Sequence, residues 1–214
     1  MIVVKIGGAV VHGAIPALDD HVVVVHGAGP QITAEMERHG LPVEFSGGRR
    51  VTSAAAIWVV RDALARVNAK LCATLGPPAV GLMGDEIGVA ARQVPGLGLV
   101  GAPLPCRPPA IEAAVAGGLI PVVAPLAVGP LNLNADELAA ALAAGLGAER
   151  LLFLTDVPGL LLDGQVVAAI KADAAEDLLA SGELEGGILP KLNAAVTAAR
   201  LGVSASIGET AVLA

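Results

Sequence analysis

Short runs of aliphatic residues alternate along this chain with alanine-rich stretches of helical length, and that rhythm restricts the fold more than any single motif. The runs are Ile2–Ile6, Val22–Val25, Ala79–Met83, Ile120–Val123, Leu151–Leu154 and Val203–Ile207. They are largely apolar on both faces, as buried parallel strands must be. Helices are predicted over Gln31–His39, Ser53–Leu75, Pro109–Ala116, Asp136–Leu146, Ala174–Ala180 and Pro190–Leu201. Such alternation predicts βαβ units with helices on both faces of a mostly parallel sheet, a three-layer αβα sandwich of the α/β class. Two segments break the rhythm. Ile87–Gln93 with Leu97–Leu104 reads as a hairpin around Pro95-Gly96, and Ala124–Leu133 reads as a second. The chain of 214 residues is expected to be one domain, 1–214, with a weak division near Pro125–Leu133 into lobes 1–130 and 131–214.

Several function classes drop out. Apolar residues make up 55% of the chain and aromatics 1%, so the core is aliphatic. The net charge is −7 with no basic tract, which argues against nucleic acid. An anionic ligand would have to be held by a local positive site against the overall field. Cys72 and Cys106 lack metal spacing and read as reduced, buried thiols of a cytoplasmic protein. The four histidines also lack metal spacing. His12 and His21 are expected at the surface, and His26 is a candidate only for orienting its loop. The uncharged stretch Ala113–Ala135 is long enough to span a bilayer, but Pro121, Pro125, Pro130, Asn132 and Asn134 interrupt it. The apolar opening lacks the basic n-region of a signal peptide.

Only four lysines occur: Lys5, Lys70, Lys171 and Lys191. Lys5 ends an apolar run and precedes Gly7-Gly8, while Lys191 follows Gly186-Gly187. A lysine beside exposed backbone N–H groups can hold a polyphosphate. His26-Gly27-Ala28-Gly29-Pro30 forms a second small-residue loop between a strand and a helix, where ligands of open α/β sheets bind. Each glycine loop is equally compatible with a plain tight turn. Asn132-Leu133-Asn134-Ala135-Asp136 brings three polar groups to the start of an apolar helix, where one residue would suffice as a cap. Pro190 suits a first helical turn and leaves Lys191 projecting beside free N–H groups, though a solvated surface lysine is the commoner case. No GxxxxGK[ST] is present. Gly96–Gly101 matches GxGxxG, but prolines follow it instead of a helix.

Together these pieces resemble the amino acid kinase family, nearest to its acetylglutamate-phosphorylating branch. The matching segments are Lys5-Ile6-Gly7-Gly8, His26-Gly27-Ala28-Gly29, Gly48-Arg49-Arg50-Val51-Thr52, Asn132–Asp136, Thr155-Asp156-Val157-Pro158-Gly159, and Gly186-Gly187 with Lys191. Each is weak alone; in family order along nearly the whole chain they are specific. The resemblance implies a carbamate kinase-like fold, with an acyl-substrate lobe and a nucleotide lobe. It implies ATP-dependent phosphorylation of the γ-carboxylate of N-acetyl-L-glutamate in arginine biosynthesis, with Mg²⁺ carried on the ATP phosphates and no metal held by the protein alone. By the match, Lys5 and Lys191 contact the transferring group and Asp136 holds both ammonium groups. Gly7, Gly8, Gly27, Ala28 and Gly29 form the phosphate loops. Arg50, Asn132 and Asn134 bind the acid, and Asp156 and Gly159 belong to the nucleotide pocket. Loss of either lysine is expected to cost roughly 10²–10³ in rate with folding intact, by analogy with a lost oxyanion donor.

The chain departs from this pattern in places. Thirteen residues, 9–21, separate Gly8 from the second strand, where the family places a full helix. A crossover needs about 10–12 residues at minimum, so a turn or short piece is expected there. Ala28 stands where glycine is usual, and the stretch after Ser206 runs almost directly to the end of the sequence. No helix precedes Met1, which implies a homodimer without arginine feedback. Two other readings keep the scaffold: an aminoadipate-type kinase of lysine biosynthesis, since one methylene discriminates by only about 1–3 kcal/mol, and a non-catalytic ligand sensor.

Overall fold

The computed structural model describes residues 1–7, 21–155 and 157–214. Gly8, His12, Asp156 and the expected short crossover over residues 9–20 therefore lie outside the described residues. In chain order the first elements are β1 (Ile2–Ile6), β2 (Val22–His26), α1 (Gly29–Arg38), β3 (Phe45–Ser46), β4 (Arg49–Arg50) and α2 (Ala56–Leu75). There follow β5 (Ala79–Met83), β6 (Ala91–Gln93), β7 (Val100–Pro103), α3 (Pro109–Ala116), β8 (Ile120–Ala124), β9 (Leu126–Ala127) and β10 (Leu131–Leu133). The rest are α4 (Ala135–Gly145), β11 (Arg150–Leu154), β12 (Leu161–Leu162), β13 (Gln165–Val166), β14 (Ala169–Lys171), α5 (Ala172–Ser181), α6 (Ile188–Arg200), β15 (Ser204–Ile207) and β16 (Thr210–Leu213).

The described residues form one eight-stranded sheet in the order β14-β16-β15-β11-β1-β2-β8-β5. Its neighbours pair in parallel except β15 with β16. Alternation along β1 assigns the two faces. Val3 joins a core with Val23, Val25, Leu151, Phe153 and the apolar sides of α3, α4 and α6. Val4 and Ile6 point the other way, to a smaller cluster with Val24, Val122 and Leu71 of α2. Helices α1 and α2 share a third cluster built on Ile32, Met36, Ile57, Val60 and Leu64. The αβα sandwich expected from the sequence is what forms. Lys5 has the parity of Val3, so its side chain leaves the sheet on the side of α4.

The helix ends have local causes. Asn134 caps α4: its side-chain oxygen accepts from the N–H groups of Asp136 at 2.8 Å and Glu137 at 3.2 Å. Ser53 Oγ accepts from the N–H of Ala56 at 3.2 Å, so α2 starts three residues later than expected. Both expected hairpins are present in shortened form, β6 with β7 and β9 with β10. Turns over residues 84–88 occupy the start of the first, with Val89 N–H donating to Gly84 O at 2.9 Å. The cysteines are free and half-buried, less enclosed than the sequence suggests. His21 is exposed, as expected. Among the described residues no helix is long and apolar enough to cross a membrane.

Candidate active site

The first cavity opens at the carboxyl end of β1 and β2. It has a volume of about 170 Å³, and Lys5, Arg50, Asn132 and Asp136 line it together with backbone of Gly27, Ala28 and Gly29. At its floor Lys5 Nζ meets Asp136 Oδ1 at 2.8 Å, with side chains only 6% and 8% exposed. Asp136 can serve this pairing because Asn134 has already taken the capping task. Its carboxylate also sits in the first turn of α4, where the helix field favours negative charge. Asp136 Oδ1 has no hydrogen bond of good geometry among the described residues, so the pair is held by charge and proximity.

The two glycine loops divide the N–H groups of their described residues. Gly7 donates to Leu154 O at 3.4 Å and Gly27 to Ile6 O at 3.1 Å, so both extend the sheet. Ala28 and Gly29 open α1, and their N–H groups have no protein acceptor among the described residues. These are the donors left for an anion. Behind them His26 is buried, its Nε2 3.1 Å from Asn68 Nδ2, which also donates to Val122 O at 2.8 Å. The acceptor role of Nε2 makes the ring neutral with its proton on Nδ1. Burial, reinforced by the Lys5 ammonium and opposed by the backbone at Gly27, brings the His26 pKa down from 6.5 to about 4.

The opposite wall is a tight hairpin. Phe45 pairs with Arg50 and Ser46 with Arg49 around Gly47-Gly48, both at positive φ (55° and 75°). A two-residue loop of this type needs φ above zero at both positions, which glycine supplies. Arg50 is buried. It donates to Gly29 O at 3.0 Å and Thr33 Oγ1 at 2.8 Å, and its guanidinium lies 4.5 Å from the centre of the Phe45 ring. No carboxylate pairs with it among the described residues, and desolvation lowers its pKa. Asn132 Nδ2 donates to Thr52 Oγ1 at 3.0 Å, and Thr52 Oγ1 donates to Arg50 O at 2.8 Å. Asn134 lines the cavity, but its amide is spent on the helix cap and on Gly48 O at 3.1 Å.

A second cavity, of about 540 Å³, is lined by Thr155, Gly159, Leu160, Gly187, Ile188 and Lys191, among others. Lys191 Nζ donates to Gly187 O at 3.1 Å. The lysines thus border different cavities: Asp136 pairs with Lys5, while Lys191 lines the second cavity. Gly48, which lines the first cavity, approaches the start of α6, the helix that carries Lys191: a Cβ on Gly48 would lie 3.8 Å from Pro190 Cβ.

Comparison with known proteins places the family and the fold. The amino acid kinase family model matches residues 1–208. The chain belongs to the amino acid kinase family. It is 44% identical to the acetylglutamate kinase of Rubrobacter xylanophilus, over 96% of this chain and 87% of that protein. Its fold is similar to the crystal structure of smu.665 from Streptococcus mutans, with a TM-score of 0.88, 28% identity, and coverage of 99% and 98% of the two chains. The carbamate kinase of Giardia lamblia bound to AMP-PNP shares the fold at a TM-score of 0.70 and 16% identity, over 99% of this chain and 97% of that one. As a member of the amino acid kinase family the chain is a kinase, which implies ATP as phosphoryl donor. Sequence reasoning missed Phe45 and Glu137, and it placed Arg49 and Thr52 in a matching segment without a role. The Gly47-Gly48 pair between two short runs was a hairpin signal that could have drawn attention to Phe45 and Arg49.

Proposed function

We propose that this kinase transfers the γ-phosphoryl group of ATP to the γ-carboxylate of N-acetyl-L-glutamate, the acid-activating step of arginine biosynthesis. One observation carries the assignment. Arg50 is a buried guanidinium with no carboxylate partner among the described residues, and it lines the same small cavity as the Lys5–Asp136 pair. A buried unpaired cation is costly, and an acid's own carboxylate would offset that cost. Arg50 and Asn132 hold the acid in this reading, with its second carboxylate directed toward Lys5. The name of the Rubrobacter relative favours N-acetylglutamate over the one-carbon-longer acid.

The nucleotide occupies the second cavity, against Gly159 and Lys191. The acceptor carboxylate is ionised at neutral pH and needs no general base. Its oxygen forms the new bond to phosphorus as the bond from phosphorus to the β,γ-bridging oxygen breaks, and ADP leaves with that electron pair. Lys5, Lys191 and the N–H groups of Ala28 and Gly29 supply fixed positive charge for the equatorial oxygens. Asp136 fixes the Lys5 ammonium in direction. Among the described residues no cluster of three His, Cys, Asp or Glu could hold a metal. In this reading Mg²⁺ would ride on the ATP phosphates, where it would neutralise charge. The two lobes, 1–130 for acid and 131–214 for nucleotide, are part of the same reading.

A coupled assay of ADP release tests it, with N-acetylglutamate, N-acetylaminoadipate or no acceptor. Release that depends on N-acetylglutamate is expected. Equal release without acceptor, or preference for the longer acid, overturns the assignment. Arg50→Lys keeps the charge but loses the planar fork, so the KM for the acid should rise about 10–100-fold with the KM for ATP unchanged.

A further inference from the structure

The hairpin that carries Arg50 has little apolar packing of its own. Phe45 is 58% exposed, and Ser46, Gly47 and Gly48 are exposed as well. A lone two-stranded ribbon is marginal in water, so something else must hold this one down. Two contacts reach it from α4. Arg49 forks onto Glu137: Nε lies 3.0 Å from Oε1 and 3.2 Å from Oε2, and Nη2 lies 3.0 Å from Oε2. Asn134 Nδ2 donates to Gly48 O at 3.1 Å. The ion pair is partly buried, with side chains 27% and 18% exposed, so water screens it less than a surface pair. Glu137 also sits in the first turn of α4, beside Asp136, where the helix field favours its charge.

Strand alternation gives this pair its use. Arg49 and Arg50 are neighbours in β4 and project to opposite sides. When Arg49 is forked onto α4, Arg50 is turned inward under Phe45. We propose that the Arg49–Glu137 ion pair is a latch that holds the β3–β4 hairpin over the acid cavity and keeps Arg50 poised for the substrate carboxylate. Both are positioning residues; the inference rests on the acid site proposed above. The latch also joins the wall that holds the acid to the helix that bears Asp136, so acid capture and alignment of Lys5 share one brace. If latch loss leaves the hairpin closed about a tenth of the time, apparent affinity for the acid falls about tenfold.

The experiment pairs kinetics with hydrogen exchange on the full chain. Arg49→Leu, Glu137→Gln and the double variant are compared with wild type. Each single change should raise the KM for N-acetylglutamate about tenfold, leave the KM for ATP unchanged and change kcat little. Amides over residues 43–52 should exchange about tenfold faster in both. The double variant should be no worse than either single one. Additive losses, or unchanged exchange over 43–52, overturn the latch. So does a raised KM in Arg49→Leu beside a normal one in Glu137→Gln, which would mean that Arg49 touches the acid itself. Glu137→Gln is nearly isosteric and keeps the test open should Arg49→Leu not fold. If wild type shows no acid-dependent ADP release, the functional reading fails, while the exchange arm still decides whether the hairpin is latched.

Discussion

Lys5 illustrates how burial changes a prediction made from sequence. Its scarcity and its place before Gly7 made it legible as a site residue, and the expectation was a pure loss of rate on removal. The structure puts Lys5 against Asp136 with both side chains nearly enclosed. Removing one partner of a buried pair strands a charge, at about 3–5 kcal/mol. Lys5→Ala should therefore lose roughly 10²–10³ in turnover and also unfold at lower urea. Combining it with Asp136→Asn should recover much of the stability and none of the turnover, which denaturant titration beside the ADP assay would reveal. Lys191 is only half-buried, so Lys191→Ala should lose comparable rate with a smaller change in stability. His26 supplies a pH signature. Its folded pKa of about 4 lies below the ordinary 6.5, so the unfolded chain binds the extra proton first. Stability is full above about pH 6.5, declines as pH falls toward 4 and levels off below, a loss of about 3 kcal/mol in all. Urea unfolding across that window should show the decline in wild type and a flatter profile in His26→Gln. Arg49 and Glu137 were illegible because 88 residues separate them, and local spacing carries no information about such a pairing.

Helices and long strands were readable because their signals are periodic and repeated. The apolar runs of β1, β5 and β8, and the alanine-rich stretches of α3, α4 and α6, fall within a few residues of their expected limits. The short pairs β3–β4 and β12–β13 were not read, since two-residue strands on exposed ribbons have no period to detect. Strands β14 and β16 were also missed; they are three and four residues long with exposed positions, so neither reads as a run apolar on both faces. The end of α4 is fixed by contact more than by propensity. A Cβ at Gly145 would collide with the backbone of Cys106. Gly145→Ala would raise helix propensity in isolation, yet here it should destabilise by about 1–3 kcal/mol through overpacking. For a chain of this length that lowers the melting temperature by roughly 2–12 °C, measurable by calorimetry.

The sheet order carries a further expectation for the chain as one body. Strand β1 stands between β2, from the proposed acid lobe, and β11, from the proposed nucleotide lobe. A single sheet runs through both, and the core around Val3, Phe153 and α4 is shared. Heating should therefore give one cooperative transition, with calorimetric and van't Hoff enthalpies in agreement. Two resolved transitions would mean that the lobes melt apart. The sequence signalled the sandwich but not this seam, because the order of strands depends on which distant runs pair.

Strand β1 is synthesised well before β11, and one of its two flanks is completed only by residues 150–154. Until then the nascent polypeptide exposes an aliphatic edge with unsatisfied amides, which invites sticking to other chains. Biogenesis of this enzyme is thus governed by the emergence of β11: fragments that stop short of it should accumulate in inclusion bodies, and chaperone demand should last until it is made.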